Sequence, residues 1–351
     1  MATATARPAQ PVHPELSTPP PDAALAQIIF GKCVSMAVSV AAKLRIADKL
    51  TSGPKSAADL ARETGTHAAS LYRLLRALAS VGVFAEDADG RFRLTPMAEY
   101  LRTGVPGSMR GIADYCGSDW SWRAWGNLLD SIRTGETAFD RVFGEPCFDY
   151  LAKHPEDSAV FNEGMTGFSS SVAPAVAAAY DFSRLGTVVD VGGGHGVMLA
   201  TILKAFPNVR GVVFDAPHVA DGAREPIRAA GLADRCRAEG GDFFKSVPAG
   251  GDAYLMKHII HDWPDDKATT ILKNCRAAVN PGGKLLLDEI VIKPGNEPDL
   301  GKILDLEMLV LPSGRERTEA EYAKLFAGAG WKLTRVVPTN SPMQIIEGEP
   351  V

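Results

Sequence analysis

Cysteine is sparse in this 351-residue chain and forms no pattern. Its five residues (Cys33, Cys116, Cys147, Cys236 and Cys275) are odd in number, far apart and never arranged as CxxC. Such usage speaks against a disulfide framework or a zinc site and suits reduced thiols in a cytoplasmic enzyme. No uninterrupted run of about 18 apolar residues occurs, so no membrane span is expected. Positive charge is not in excess: 37 Lys and Arg stand against 42 Asp and Glu, a net charge of −5. A nucleic-acid partner needs a basic face to neutralise phosphates, so none is expected. The phosphate loop GxxxxGK[ST] is missing, which removes nucleotide hydrolysis from consideration.

What is present suits a globular enzyme. Hydrophobic residues make up 46% and charged residues 23%, and the length accommodates two domains. Residues 1–22, rich in Pro, Ala and Thr, read as a disordered tail without the plan of a signal peptide. Residues 23–50 carry apolar positions at helical spacing. Ser56 then opens a short helix that stops at Gly65, and a second helix runs from about Ala68 to Ser80. Val83–Leu94 reads as a hairpin around Asp87-Ala88-Asp89-Gly90. Together these elements follow the plan of a winged helix. A DNA-binding regulator that senses an aromatic ligand is one reading of it, and a structural or dimer-forming module is the other. From Ser56 to Tyr100 there are five basic and six acidic residues, which favours the second.

Residues 111–180 read as a helical layer rich in aromatics and Met, including Met165 and Phe168. Such side chains fill a core or wall a pocket for a flat ligand. From Leu185 onward short β-branched runs alternate with helical stretches, which predicts an α/β domain with a parallel sheet. Its first strand ends in Val189-Asp190-Val191-Gly192-Gly193-Gly194-His195-Gly196. Counting GxGxxG from Gly192 and Gly194 puts Val197 at the third glycine, so a dinucleotide is disfavoured and the pattern is GxGxG. Asp215 ends the second strand, where a carboxylate can accept from a ribose diol. Asp242 ends the next segment within reach of an adenine, and Lys257 closes the strand after it.

The stretch Lys257-His258-Ile259-Ile260-His261-Asp262-Trp263 places His261 beside that edge, with a side chain suited to general base work. Glu289 is expected to end the adjacent strand after the turn Asn280-Pro281-Gly282-Gly283, and Glu316 lies in a loop before a helix. Either carboxylate can orient the imidazole, and either can equally be an ion-pair partner or a helix-start charge. No Asp/Asn cluster with spacing for a hard cation adjoins His261, so no metal is expected.

Over residues 25–347 the chain resembles the metal-independent plant-type and bacterial small-molecule O-methyltransferases. The likeness rests on VDVGGGHG (189–196), FDAPHV (214–219), GDFF (241–244), KHIIHDW (257–263) and GRERTEAEY (314–322). It implies a Rossmann-like class I methyltransferase domain (111–351) behind an N-terminal, mainly helical winged-helix dimerisation domain (23–110). It also implies S-adenosylmethionine as cofactor and S-adenosylhomocysteine as product. Catalysis falls on His261, Glu289 and Glu316. Cofactor contacts fall on Gly192, Asp215, Asp242, Phe243 and Lys257, and the GxGxG reading adds Gly194. Acceptor contacts fall on Met165, Asp262 and Met308, and Phe168 of the aromatic layer is expected to join them. The expected reaction is methylation of a hydroxyl on a small phenolic or polyketide-like aromatic by a homodimer. N-methylation or non-methylating chemistry on the same fold is the alternative.

Overall fold

The computed structural model describes residues 19–351. Most of the expected tail therefore lies outside the described residues, but Pro21 and Asp22 do not belong to it. They open α1 (Pro21–Lys43), with Pro at the first turn, where its missing N–H costs nothing. The helical stretch does not run on to Leu50 unbroken. Arg45 turns left-handed (φ 52°) and starts a separate α2 (Ile46–Lys49).

The winged-helix plan is present. Strand β1 (Lys55–Ser56) leads into α3 (Ala57–Thr64), capped by Ser56 Oγ and closed by left-handed Gly65. Next come α4 (Ala68–Ser80) and the antiparallel pair β2 (Phe84–Glu86) and β3 (Arg91–Leu94), then α5 (Pro96–Glu99). Leu71, Leu75 and Leu78 recur at helical spacing and are buried in one core with Leu60, Phe84 and Phe92. One helix among the described residues, α1, is long and apolar enough to cross a bilayer, with mean hydropathy 1.7 over its best window. Gln27, Lys32 and two serines interrupt it, so no unbroken apolar run is visible in the sequence. It packs on α4 and on α6, and leaves Leu25, Ile28, Ile29 and Phe30 exposed.

A helical layer follows: α6 (Arg110–Cys116), α7 (Asp119–Trp125), α8 (Leu128–Thr134), α9 (Ala138–Phe143), α10 (Cys147–Lys153) and the long α11 (Pro155–Ala179). Edge-to-face rings hold it together, with Tyr115 and Phe139 each packed against Trp120. Gly111 and Gly164 let α6 and α11 approach closely: a Cβ at Gly111 would stand 2.7 Å from the Glu163 carbonyl.

The last layer is an α/β sandwich built from β4 (Thr187–Val191), α12 (Val197–Ala205), β5 (Arg210–Asp215), α13 (Pro217–Ala229), β6 (Cys236–Gly240), β7 (Gly251–Lys257), α14 (Asp265–Ala278), β8 (Val279–Glu289), α15 (Leu300–Val310), α16 (Glu319–Gly328), β9 (Trp331–Pro338) and β10 (Gln344–Pro350). The sheet order is β6-β5-β4-β7-β8-β10-β9. Strands β4 to β8 are parallel, and β10 runs antiparallel to both of its neighbours. This is the Rossmann-like arrangement of class I methyltransferases, extended by a C-terminal antiparallel pair that the strand alternation did not suggest. Asn280-Pro281-Gly282-Gly283 does not form a free turn. It runs inside β8, whose Val279 pairs with Gly251 across a register shift. Order reverses between β4 and β7, and at such a switch the loops leaving both strands part and open a crevice.

Candidate active site

The crevice has two walls. On the β4 side, Gly192, Gly194 and Gly196 all take left-handed φ (71°, 55° and 77°), which side chains resist. A Cβ at Gly192 would stand 2.3 Å from Ile259, whereas Gly194 faces open space. The Gly194 N–H donates to Asp215 Oδ2 (2.8 Å) and the Ala216 N–H to Oδ1 (2.7 Å). Each oxygen keeps a free lone pair, so the carboxylate is fixed yet still able to accept. Burial raises the Asp215 pKa, and these two amides work against the rise. Asp242 follows β6, held by the Phe244 N–H (2.9 Å), and the Phe243 ring lies 6.0 Å from Trp263.

Lys257 ends β7 between two carboxylates that sequence reasoning did not single out as site residues, Asp190 on β4 and Asp288 on β8. Burial pushes Asp190 up to about 7 and Asp288 up to about 8, with the Lys257 charge opposing both. Burial in turn lowers Lys257. Both Asp288 oxygens and one Asp190 oxygen are buried without a donor. Their only sequence signal is an acid at the close of an apolar strand, where local pattern offers no partner. The Lys257 ammonium also lies 5.4 Å from the Phe168 ring on α11.

The other wall is His261, 4% exposed, in a 3-10 turn (Ile260–Asp262) just past β7. Its Nδ1 lies 2.7 Å from Glu316 Oε1 and 3.7 Å from Glu289 Oε2, and its Nε2 lies 3.5 Å from Asp262 Oδ1. Glu289 is itself oriented, since its Oε1 accepts from the Ile260 N–H (2.9 Å) and the Ile259 N–H (3.2 Å). Burial alone would lower the imidazole. The charges of Glu289, Glu316 and Asp262 outweigh it and raise His261 to about 10. The same crowding leaves burial dominant at Glu289, pushed up to about 7, and at Asp262, pushed up to about 6.

A buried clamp sets the His261 turn. The Arg317 guanidinium donates to the Ile260 carbonyl (3.1 Å), the Trp263 carbonyl (2.8 Å) and Asp265 Oδ1 (2.8 Å). The Arg315 N–H donates to the His261 carbonyl (2.8 Å). Gly314 lies so close that a Cβ there would stand 1.8 Å from the same carbonyl oxygen. His258 is a further wall residue that the sequence reading passed over. Left-handed at φ 52°, it stacks on Phe168 (4.9 Å) and stands 4.4 Å from the His261 ring. Met165 and Met308 sit on different helices, α11 and α15, and neither enters the hydrogen-bonded cluster around His261.

Known proteins resemble the chain over most of its length. The O-methyltransferase domain matches residues 125–332 and the O-methyltransferase dimerisation domain residues 26–104. A phenazine O-methyltransferase of Lysobacter antibioticus is 48% identical over 93% of this chain and 96% of its own. The crystal structure of LaPhzM superposes with TM-score 0.92 at 48% identity, covering 95% of this chain and all (100%) of that one. An O-methyltransferase from neocarzinostatin biosynthesis, solved with S-adenosylmethionine and 2-hydroxy-5-methyl naphthoic acid, is 35% identical with TM-score 0.76 over 91% of this chain and 96% of that one.

Fold and crevice therefore define a class I methyltransferase that uses S-adenosylmethionine. The chain belongs to the O-methyltransferase family and carries that family's dimerisation domain. The enzyme is an S-adenosylmethionine-dependent O-methyltransferase, and the crevice fits that cofactor: open space over Gly194, a fixed Asp215 with free lone pairs, and a carboxylate-rich corner to receive positive charge. Three groups that could hold a metal, on His258, His261 and Glu289, lie within 4.8 Å of one another. Two of them are already engaged, since His261 Nδ1 lies 2.7 Å from Glu316 and Glu289 accepts two amides. The family's chemistry needs no metal.

Proposed function

We propose that His261 is the general base that removes the proton of an aromatic hydroxyl as the methyl group is transferred to it. The observation that carries this reading is the 2.7 Å contact between His261 Nδ1 and Glu316. Glu316 accepts from Nδ1–H, which leaves Nε2 as the proton acceptor and gives the imidazolium a counter-charge as it forms. Glu289 adds a second counter-charge, and Asp262 beside Nε2 orients the acceptor hydroxyl. The cofactor supplies an electrophilic methyl on a positively charged sulfur. Gly192 and Gly194 would hold its amino-acid part, Asp215 its ribose, Asp242 and Phe243 its adenine, and Lys257 the edge between. Transfer is an in-line displacement, so the chain's task is to align, exclude water and take one proton. His261 needs positive charge nearby to give up its resting proton against three carboxylates, and the cofactor site is where that charge arrives.

The acceptor is a small flat hydroxyaryl, phenolic or polyketide-like, set against Met165, Phe168 and Met308. Support comes from the apolar stripe Phe161, Met165 and Phe168 on α11 and from the hydroxyaromatic substrates named for relatives. The functional unit is a homodimer divided near residue 110 into a dimerisation and a methyltransferase domain. Leu25, Ile28, Ile29 and Phe30 on α1 offer an apolar face that a second copy would cover. The free thiols suit a cytoplasmic setting.

The test is H261A, read by S-adenosylhomocysteine release over a panel of hydroxyaryls and by cofactor binding. Turnover should fall by roughly 10²–10⁴-fold with cofactor affinity retained. Near-normal turnover would remove His261 from the role of base.

A further inference from the structure

Helix α15 carries a carboxylate outside the His261 cluster. Glu307 lies beside Met308, half-buried, and its two oxygens are taken by the Tyr115 hydroxyl on α6 and the Trp125 indole N–H at the end of α7. Both donors are neutral. Among the described residues no Lys or Arg stands within 4 Å of Glu307 or of Asp262. A carboxylate removed from water is normally given a cationic partner, because neutral donors return only part of its hydration. Each Glu307 oxygen also retains a lone pair.

A chain of rings joins this clasp to the catalytic corner. Tyr115 meets Phe161 (6.0 Å), Phe161 meets Phe148 (6.0 Å), and Phe148 meets Trp263 (5.4 Å), the residue after Asp262. Cys147, next to Phe148, feels both ends. Burial raises its thiol, and the charges of Asp262 and Glu307 raise it further. The rings thus run between two unlike carboxylates: Asp262 has His261 at 3.5 Å and the Lys257 charge acting on it, whereas Glu307 meets only neutral donors. Ring stacking accepts any flat aromatic, so the discriminating element is charge.

We propose that Glu307 is a specificity-determining residue that admits hydroxyaryls that are neutral or carry an N–H donor and rejects those bearing a carboxylate. The proposal rests on the methyl-acceptor reading above. An N–H group finds a lone pair on Glu307, whereas a carboxylate meets a like charge in a poorly hydrated site.

Three probes test it on the full chain saturated with S-adenosylhomocysteine: 2-naphthol, 8-amino-2-naphthol and 7-hydroxy-1-naphthoic acid. They share one ring and hydroxyl and differ in charge at a single carbon. By calorimetry, the acid should bind roughly 10- to 100-fold more weakly than its amino counterpart, the usual effect of placing like charges together. E307Q should narrow that gap to within about threefold, since the charge is gone. Y115F, which disturbs the clasp but keeps the charge, should preserve the gap. Equal binding of acid and amine, no binding of the neutral probes, or an equal collapse of the gap in both variants would overturn the proposal. Methyl transfer to the probes is scored separately with S-adenosylmethionine. Transfer without charge preference sinks this proposal alone, and charge preference without transfer sinks the methyl-acceptor reading alone.

Discussion

The two walls of the crevice are made differently. The β4 wall is mostly backbone from one contiguous turn, Gly192 to Gly196, with Asp215 tied to it by two amides. The His261 wall is side chains from distant segments: the turn at 260–262, the end of β8, and the 314–317 loop. A backbone wall tolerates change wherever φ and space allow. A side-chain wall fails together when one support moves, because each group is oriented by the next. The comparison teaches that binding and chemistry should separate under mutation.

The largest separation is expected at Gly314. In G314A the new Cβ must push the His261 carbonyl, 1.8 Å away, and displace the turn. A shift of about 1 Å at reacting groups costs roughly 10²-fold, so kcat should drop by at least that while cofactor Kd stays near wild type. Equal loss of both would show that the walls are one unit. Next is R317M, which leaves the Ile260 and Trp263 carbonyls without their charged donor. It should cost about 3 kcal/mol in urea unfolding and lower kcat more than acceptor KM. A variant as stable as wild type would mean that the turn holds itself.

E316Q sharpens the comparison through pH. With His261 as the proposed base, turnover would need the neutral imidazole, so kcat should rise with pH through a pKa that the carboxylates raise to about 10. Removing the Glu316 charge lowers that pKa, so the rising limb should move to lower pH while the plateau falls roughly 10-fold. A limb that stays put would assign it to another group. Smallest is G194A. With open space but φ 55°, it pays only left-handed strain of about 1–2 kcal/mol. Cofactor Kd should weaken about tenfold on that account, with the pH profile of kcat untouched.

Legibility followed the same divide. The bounds of α4, the stop at Gly65, the hairpin at Gly90 and the glycine loop were readable, because each depends on residues within a few positions of one another. Asp288, His258, Arg317 and Glu307 were not, since their partners lie across strands or up to 192 positions away. The β9–β10 pair was missed because Glu347, Gly348 and Glu349 break its alternation, and a bulge at Glu347/Gly348 restores pairing only in three dimensions. Asn280-Pro281-Gly282-Gly283 has turn composition, yet pairing with β7 draws it into a strand.

By itself the sequence determined the class of enzyme and the left-handed glycine loop that follows β4, because periodicity, glycine conformation and a resemblance spread over ordered motifs are local properties. Tertiary structure alone decided which carboxylate touches His261, how the turn carrying it is clamped, and that Glu307 is held by two neutral donors. Those depend on distances between segments, and electrostatic energy is set by distance and burial rather than by order along the chain.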